Sequence, residues 1–141
     1  PQSQILMPTA AEDLGLSLRG LGREETARRV TATLLEHGMA ECADVPASAL
    51  SGGQRQMLAL SSVLITEPEM IVADEPTTLL DLRNSRRIGD LLLSQKAPVV
   101  LVTHDLDLAS RCDHALLFDN GMLVASGAPE TVIGTYRGLC A

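Results

Sequence analysis

The chain has 141 residues, 45% of them hydrophobic, with 18 acidic against 11 basic side chains and a net charge of −7. That suffices for a modest single core, and no apolar stretch is long enough to span a bilayer or to serve as a signal peptide. The acidic balance argues against gripping a phosphate backbone through clustered cations, and Phe118 and Tyr136 leave little aromatic surface for stacking on bases.

Thr9-Ala10-Ala11-Glu12 has capping-box form and predicts a first helix to about Leu18. A second helix is expected from near Arg23 to His37, with Ala27, Val30 and Leu34 on one face and Gly38 as its stop. His37 then falls at a helix C-terminus, a favourable place for partial positive charge, and is assigned no chemistry. Residues 39–49 read as a connection broken by Pro46.

Leu50-Ser51-Gly52-Gly53-Gln54-Arg55-Gln56 opens a third helix, with Met57, Leu60 and Leu64 at core-facing spacing. A serine followed by two glycines at a helix start leaves several backbone N–H groups unobstructed. Those donors, the Ser51 hydroxyl and the positive end of the helix dipole converge on one place, which suits a phosphate. An ordinary serine-capped helix with a loose start would use the same residues.

Met70-Ile71-Val72-Ala73 reads as a buried strand that ends in Asp74-Glu75-Pro76. The carboxyl edge of an open α/β sheet is where ligands bind. Phosphoryl transfer needs one carboxylate for Mg²⁺ and a second group for the attacking water. Adjacent strand-end residues point in opposite directions, so Asp74 and Glu75 can divide those tasks. A solvated acidic turn is the plain alternative.

Leu82 to Gln95 predicts an amphipathic helix with Ile88, Leu91 and Leu92 inward, while Arg83, Arg86 and Arg87 on its flank read as a solvated face, with an interface patch as the alternative. A second apolar strand, Pro98 to Thr103, delivers His104, whose imidazole could donate a hydrogen bond to a terminal phosphate. Strand, helix, strand predicts a parallel sheet with right-handed crossovers. Ala115 to Phe118 and Met122 to Ala125 flank an Asn120-Gly121 hairpin signal, and residues 129–134 suggest a short closing helix. Cys42, Cys112 and Cys140 are odd in number and far apart, without metal spacing, and read as reduced, mostly buried thiols.

Taken in order, these motifs resemble the set of ABC-type ATPases. Ser51, Gly52, Gly53 and Gln54 match the signature motif, Asp74 and Glu75 the Walker B strand with its catalytic glutamate, and His104 the switch histidine. Thr77-Thr78-Leu79-Leu80-Asp81 sits where the D-loop falls, with Leu79 in place of the usual small residue. No Gly-x-x-x-x-Gly-Lys-Ser/Thr occurs, and the sole lysine, Lys96, has no glycine loop before it. Pro1-Gln2-Ser3-Gln4 and Pro8-Thr9 resemble the stretch just after the Q-loop, so Gln4 is not read as that loop's magnesium-binding glutamine. The resemblance therefore implies a fragment: an α/β, partial P-loop NTPase (ABC ATPase) fold, with a helical subdomain over 1–50. Residues 51–141 would form the C-terminal part of the catalytic core, a mainly parallel sheet with a terminal hairpin.

The resemblance also implies a mechanism. Two ATPase subunits, as a homo- or heterodimer, would pair head to tail. Ser51, Gly52 and Gly53 would hold the γ-phosphate of the partner's ATP, with Gln54 close by. Asp74 would hold Mg²⁺ through water, Glu75 would position or activate the attacking water, His104 would sense the γ-phosphate, and Asp81 would couple the two sites. Gln4, Pro8-Thr9 and Glu12-Asp13 are similar to ATPases of energy-coupling factor importers, and Asp74 to Asn84 to those of biotin, cobalt or nickel systems. That places the protein peripherally at the cytoplasmic face of the cell membrane, on an integral membrane subunit, with no nucleic acid partner. The membrane subunit's coupling helix would dock near Asp13 and Leu14. A soluble ABC-type ATPase outside transport, or a non-enzymatic module lending its signature motif to a partner, would share these motifs.

Overall fold

A computed structural model describes residues 7–141; Gln4 lies outside the described residues. The first helix, α1 (Ala10–Leu16), starts where the capping box predicts: the Thr9 hydroxyl accepts from the Glu12 N–H, and the Glu12 carboxylate accepts from the Thr9 N–H. The second, α2 (Arg23–Glu36), stops at His37 and Gly38, the glycine at φ +65°. Val30 and Leu34 are buried as expected, but Ala27 is exposed. The ridge that meets α1 runs at four-residue spacing through Thr26, Val30 and Leu34, and the Thr26 methyl lies 3.6 Å from where Gly15 would carry a β-carbon.

Two 3₁₀ turns, Ala40–Cys42 and Ala47–Ala49, flank Pro46, and the Ala47 N–H donates to the Pro8 carbonyl at 2.8 Å. This stitches the connecting segment to the entry of α1. Helix α3 (Gly52–Leu64) buries Met57, Leu58, Ala59, Ser61 and Leu64, with Leu60 half-buried. Strand β1 (Ile71–Asp74) begins one residue later than expected, leaving Met70 exposed, and α4 (Leu82–Leu93) ends before Gln95. Strand β2 (Val99–Val102) pairs parallel with β1 from Ile71↔Val99 to Asp74↔Val102, and α4 makes the crossover.

The short helix α5 (Leu106–Ser110) has no counterpart in the sequence reading; Asp105 caps it through the Leu108 N–H. Strands β3 (Ala115–Asp119) and β4 (Met122–Gly127) form the hairpin, each slightly longer than expected. Asn120 and Gly121 both take positive φ, as a two-residue hairpin turn requires. The closing helix, α6 (Pro129–Leu139), runs to 11 residues, with a proline in its first turn.

One core cluster runs from Ala10 through Leu92, joining α1, α2, α3, β1 and α4. It passes residue 50 without a break. The strands are dressed differently: Val72, Val100 and Val102 on the parallel pair, and Leu116 and Phe118 on the hairpin, are exposed. No helix among the described residues is long and apolar enough to cross a membrane.

Candidate functional site

The start of α3 is built by reciprocal hydrogen bonds. The Ser51 hydroxyl accepts from the Gln54 N–H at 3.2 Å, and Gln54 Oε1 accepts from the Ser51 N–H at 2.8 Å. The Gly52 and Gly53 N–H groups lie in the first turn, where no intrahelical acceptor reaches them. A β-carbon on Gly52 would meet nothing within 4 Å, so the backbone there faces open space. Gln54 differs from its neighbours: its N–H serves the cap and its Nε2 donates inward to the Cys42 thiol at 3.2 Å. Ser51, Gly52 and Gly53 retain donors that face outward from the helix start, since the Ser51 hydroxyl proton is not used by the cap.

Asp74 ends β1 exposed, and among the described residues its carboxylate has no hydrogen-bond or ion-pair partner. Glu75 does not continue the strand alternation that the sequence reading relied on. It takes φ +48°, and its N–H donates to the Val102 carbonyl at 2.7 Å, so the chain turns there. The turn delivers the carboxylate to His104 at the end of β2. His104 Nδ1 lies 2.8 Å from Glu75 Oε2, the His104 N–H donates to Oε1 at 3.0 Å, and the Thr78 hydroxyl donates to Oε2 at 3.2 Å. The imidazole hydrogen bond holds the Glu75 carboxyl below its ordinary range, and the same bond raises His104. Residues read as having separate tasks are therefore one hydrogen-bonded pair.

Asp81 caps α4 by accepting from the Asn84 N–H at 2.8 Å, which is the main reason its carboxyl is held low. Leu79 before it is fully exposed at φ +63°, an unfavourable backbone region for leucine. Thr77, by contrast, is buried, and its hydroxyl donates to Asp105. Two residues of this region have no role in the sequence reading. Gln56 Nε2 donates to the Pro76 carbonyl at 3.0 Å, and Asn84 Nδ2 donates to Asp81 Oδ2 at 3.0 Å. The three-residue spacing from Asp81 to Asn84, that of a helix cap, was the available signal for the second.

Elsewhere four expectations change. His37 is buried, not a charged helix terminus. Ser61 spends its hydroxyl proton on the Met57 carbonyl at 2.7 Å, so His37 Nδ1 donates to Ser61 Oγ at 2.6 Å, and burial lowers the imidazole's affinity for a second proton. Arg87 is tied to the His37 carbonyl at 3.3 Å rather than freely solvated. Of the thiols, Cys42 is buried, Cys112 partly so and Cys140 exposed. Asp13 and Leu14 are buried, with Asp13 accepting from the Met7 N–H, so neither offers a surface to another subunit.

Comparison with known proteins shows which family the chain resembles. The family profile described as ABC transporter matches residues 1–78. An ABC transporter ATP-binding protein of Deinococcus radiodurans is 40% identical over 139 residues, covering 97% of this chain and 62% of the relative. The biotin transport ATP-binding protein BioM of Rhizobium etli is 37% identical over 143 residues, covering 100% and 64%. Among solved structures, cbiO1 from Clostridium perfringens, described as part of the ABC transporter complex cbiONQ, superposes with a TM-score of 0.85 at 27% identity. It covers 97% of this chain and 57% of its own. The chain thus spans about three fifths of the length of the curated relatives it matches.

Proposed function

The chain belongs to the ABC transporter family and has the fold of part of its ATPase domain, and from that premise we propose that it is the ATP-hydrolysing portion of an importer's ATP-binding subunit. Residues 51–141 would supply the catalytic core and 1–50 the helical region that meets a membrane subunit. The observation that carries the reading is the pairing of Glu75 with His104 at the carboxyl end of β1, next to an unpartnered Asp74.

The residues fit a nucleotide and a divalent cation. An exposed, unpaired carboxylate at Asp74 can hold Mg²⁺. No group of three or more His, Cys, Asp or Glu among the described residues forms a metal cage, so Mg²⁺ would keep waters or phosphate oxygens as its other ligands. When bound, magnesium would neutralise charge on the phosphate oxygens. The Ser51 hydroxyl and the Gly52 and Gly53 N–H groups would donate to the γ-phosphate of a nucleotide held by a second ATPase subunit, at the positive end of the α3 dipole. Glu75 is held ionised, which suits accepting a hydrogen bond from the attacking water and orienting it. His104, bound to that carboxylate, would reach the γ-phosphate by exchanging its Nδ1 contact or using Nε2. Asp81, fixed as a helix cap beside the exposed Leu79, lies on the surface that would face the partner.

The biotin transport named for one relative supports a vitamin cargo, and the transporter complex named for the cbiO1 structure supports a peripheral place on a membrane subunit; a transition-metal cargo and the cytoplasmic side of the cell membrane belong to the same reading. A coupling helix would have to use exposed residues of the first helical region, such as Glu12 and Leu21, rather than Asp13 or Leu14. The reading is tested in the full-length subunit: Glu75→Gln is expected to bind ATP normally and lose turnover by about 100-fold or more. Undiminished hydrolysis would remove Glu75 from the reaction and the proposal with it.

A further inference from the structure

The paired glycines at the start of α3 stand in different surroundings. Gly52 has open space where a β-carbon would go. At Gly53 that space is filled: a β-carbon would lie 2.5 Å from Asn84 Cγ, 2.6 Å from its Nδ2 and 2.7 Å from its Oδ1. Three atoms of one amide, not the tip of a long side chain, occupy the position. Nor can the amide swing aside freely, because Nδ2 donates to Asp81 Oδ2 at 3.0 Å while the Asn84 backbone N–H donates to Asp81 Oδ1 at 2.8 Å. One turn further along α3, Gln56 Nε2 is bound to the Pro76 carbonyl at 3.0 Å. The segment from Pro76 to Asn84 therefore touches the helix at two places.

We propose that Asn84 is a positioning residue: wedged between Gly53 and Asp81, it sets the ligand-facing start of α3 against the acidic turn, an assignment that rests on reading Ser51 to Gly53 as phosphate contacts. Gly52 is then the glycine required by the ligand and Gly53 the glycine required by Asn84. A shift of the Asp81 loop moves the Asn84 amide, and the backbone donors at Gly52 and Gly53 move with it. The two ends of the strut lie in the same chain, so the D-loop and the signature helix would answer to one another before any partner arrives.

The test uses the full-length subunit in its complex. Gly53→Ala should lower the nucleotide-free melting temperature in the parent but have little further effect once Asn84→Ala has emptied the space, a non-additivity that neighbouring residues show and distant ones do not. Asn84→Ala alone should reduce turnover at saturating ATP by about tenfold or more, as displaced positioning groups do, while nucleotide affinity stays within about twofold. Additive melting losses would overturn the contact, and turnover within about twofold of the parent would overturn the positioning role. The melting experiment involves no ATP, so it stands apart from the function itself, whose failure would show as undiminished hydrolysis by Glu75→Gln.

Discussion

The helical region and the two strand pairs follow opposite rules of burial. On the inward faces of α1 to α4 the apolar side chains find partners within the chain, although Leu35, Val63 and Leu82 on outer faces stand exposed: Leu14, Leu58, Ile88 and Leu92 have essentially no exposed surface, and even the polar Ser61 is enclosed with both hydrogen-bonding capacities used. On β1 and β2 the valines at 72, 100 and 102 stand open, as do Leu116 and Phe118 on the hairpin. The helical region specifies its own packing, whereas the strands carry apolar faces that this stretch of chain does not cover. What both share is an edge that carries the proposed site. The donors at Ser51 to Gly53 project from the well-packed side, and Asp74, Glu75 and His104 from the ends of the open pair.

The sharpest way to break this contrast is to truncate a large apolar side chain on each side. Leu58→Ala should cost about 2–5 kcal/mol in urea melts, because it leaves a cavity among close-packed neighbours. Phe118→Ala, at 61% exposure, should fall within about 0.5 kcal/mol. Equal losses would show that the hairpin is as closely packed as the helices.

A smaller effect separates the two sides by pH. The buried His37 has its pKa lowered from 6.5, so below 6.5 the unfolded chain takes up its proton first and stability falls as the pH drops through that range. His104 has its pKa raised, so its protonation adds stability below 6.5 that is lost as the pH rises through the folded value. Being fully solvent-facing, its contribution is screened. The net slope should be acid-destabilising, below about 1.4 kcal/mol per pH unit for one proton, and His37→Gln should flatten it. A slope of the opposite sign would mean that the exposed pair outweighs the buried imidazole.

The smallest effect concerns the open strands. Expressed alone, the 141 residues should self-associate in sedimentation experiments through the uncovered valines and free strand edges, and Val102→Thr should weaken that association by under about 1 kcal/mol. A strictly monomeric species would mean that those faces are harmless.

How far the sequence revealed this arrangement depended on whether a feature is local. The caps at Thr9 and Ser51 and the turn at Asn120-Gly121 are written in neighbouring residues, and the structure has them in place. The fate of Ala27 was not legible, because the row through Val30 and Leu34 can be extended to Ala27 at three-residue spacing or to Thr26 at four, and only the approach of α1 chose between them. Helix α5 is too short to show a period of its own and depends on Asp105 as its cap. For the candidate site, the residue types were legible but not their partners: nothing local brings His104 to Glu75, which lies 29 residues earlier, or seats Asn84 on Gly53.

That separation carries a kinetic consequence. The capped helices can form from contacts a few residues apart, but the Glu75 carboxylate acquires its holder only after α4 has been laid across and β2 has found its register on β1. Closing such a loop is entropically uphill until the parallel pairing rewards it, and non-local pairing is the slow part of folding. The pair proposed to act on the nucleotide is thus assembled late, and a chain caught midway would present a finished α3 beside a carboxylate that nothing yet orients.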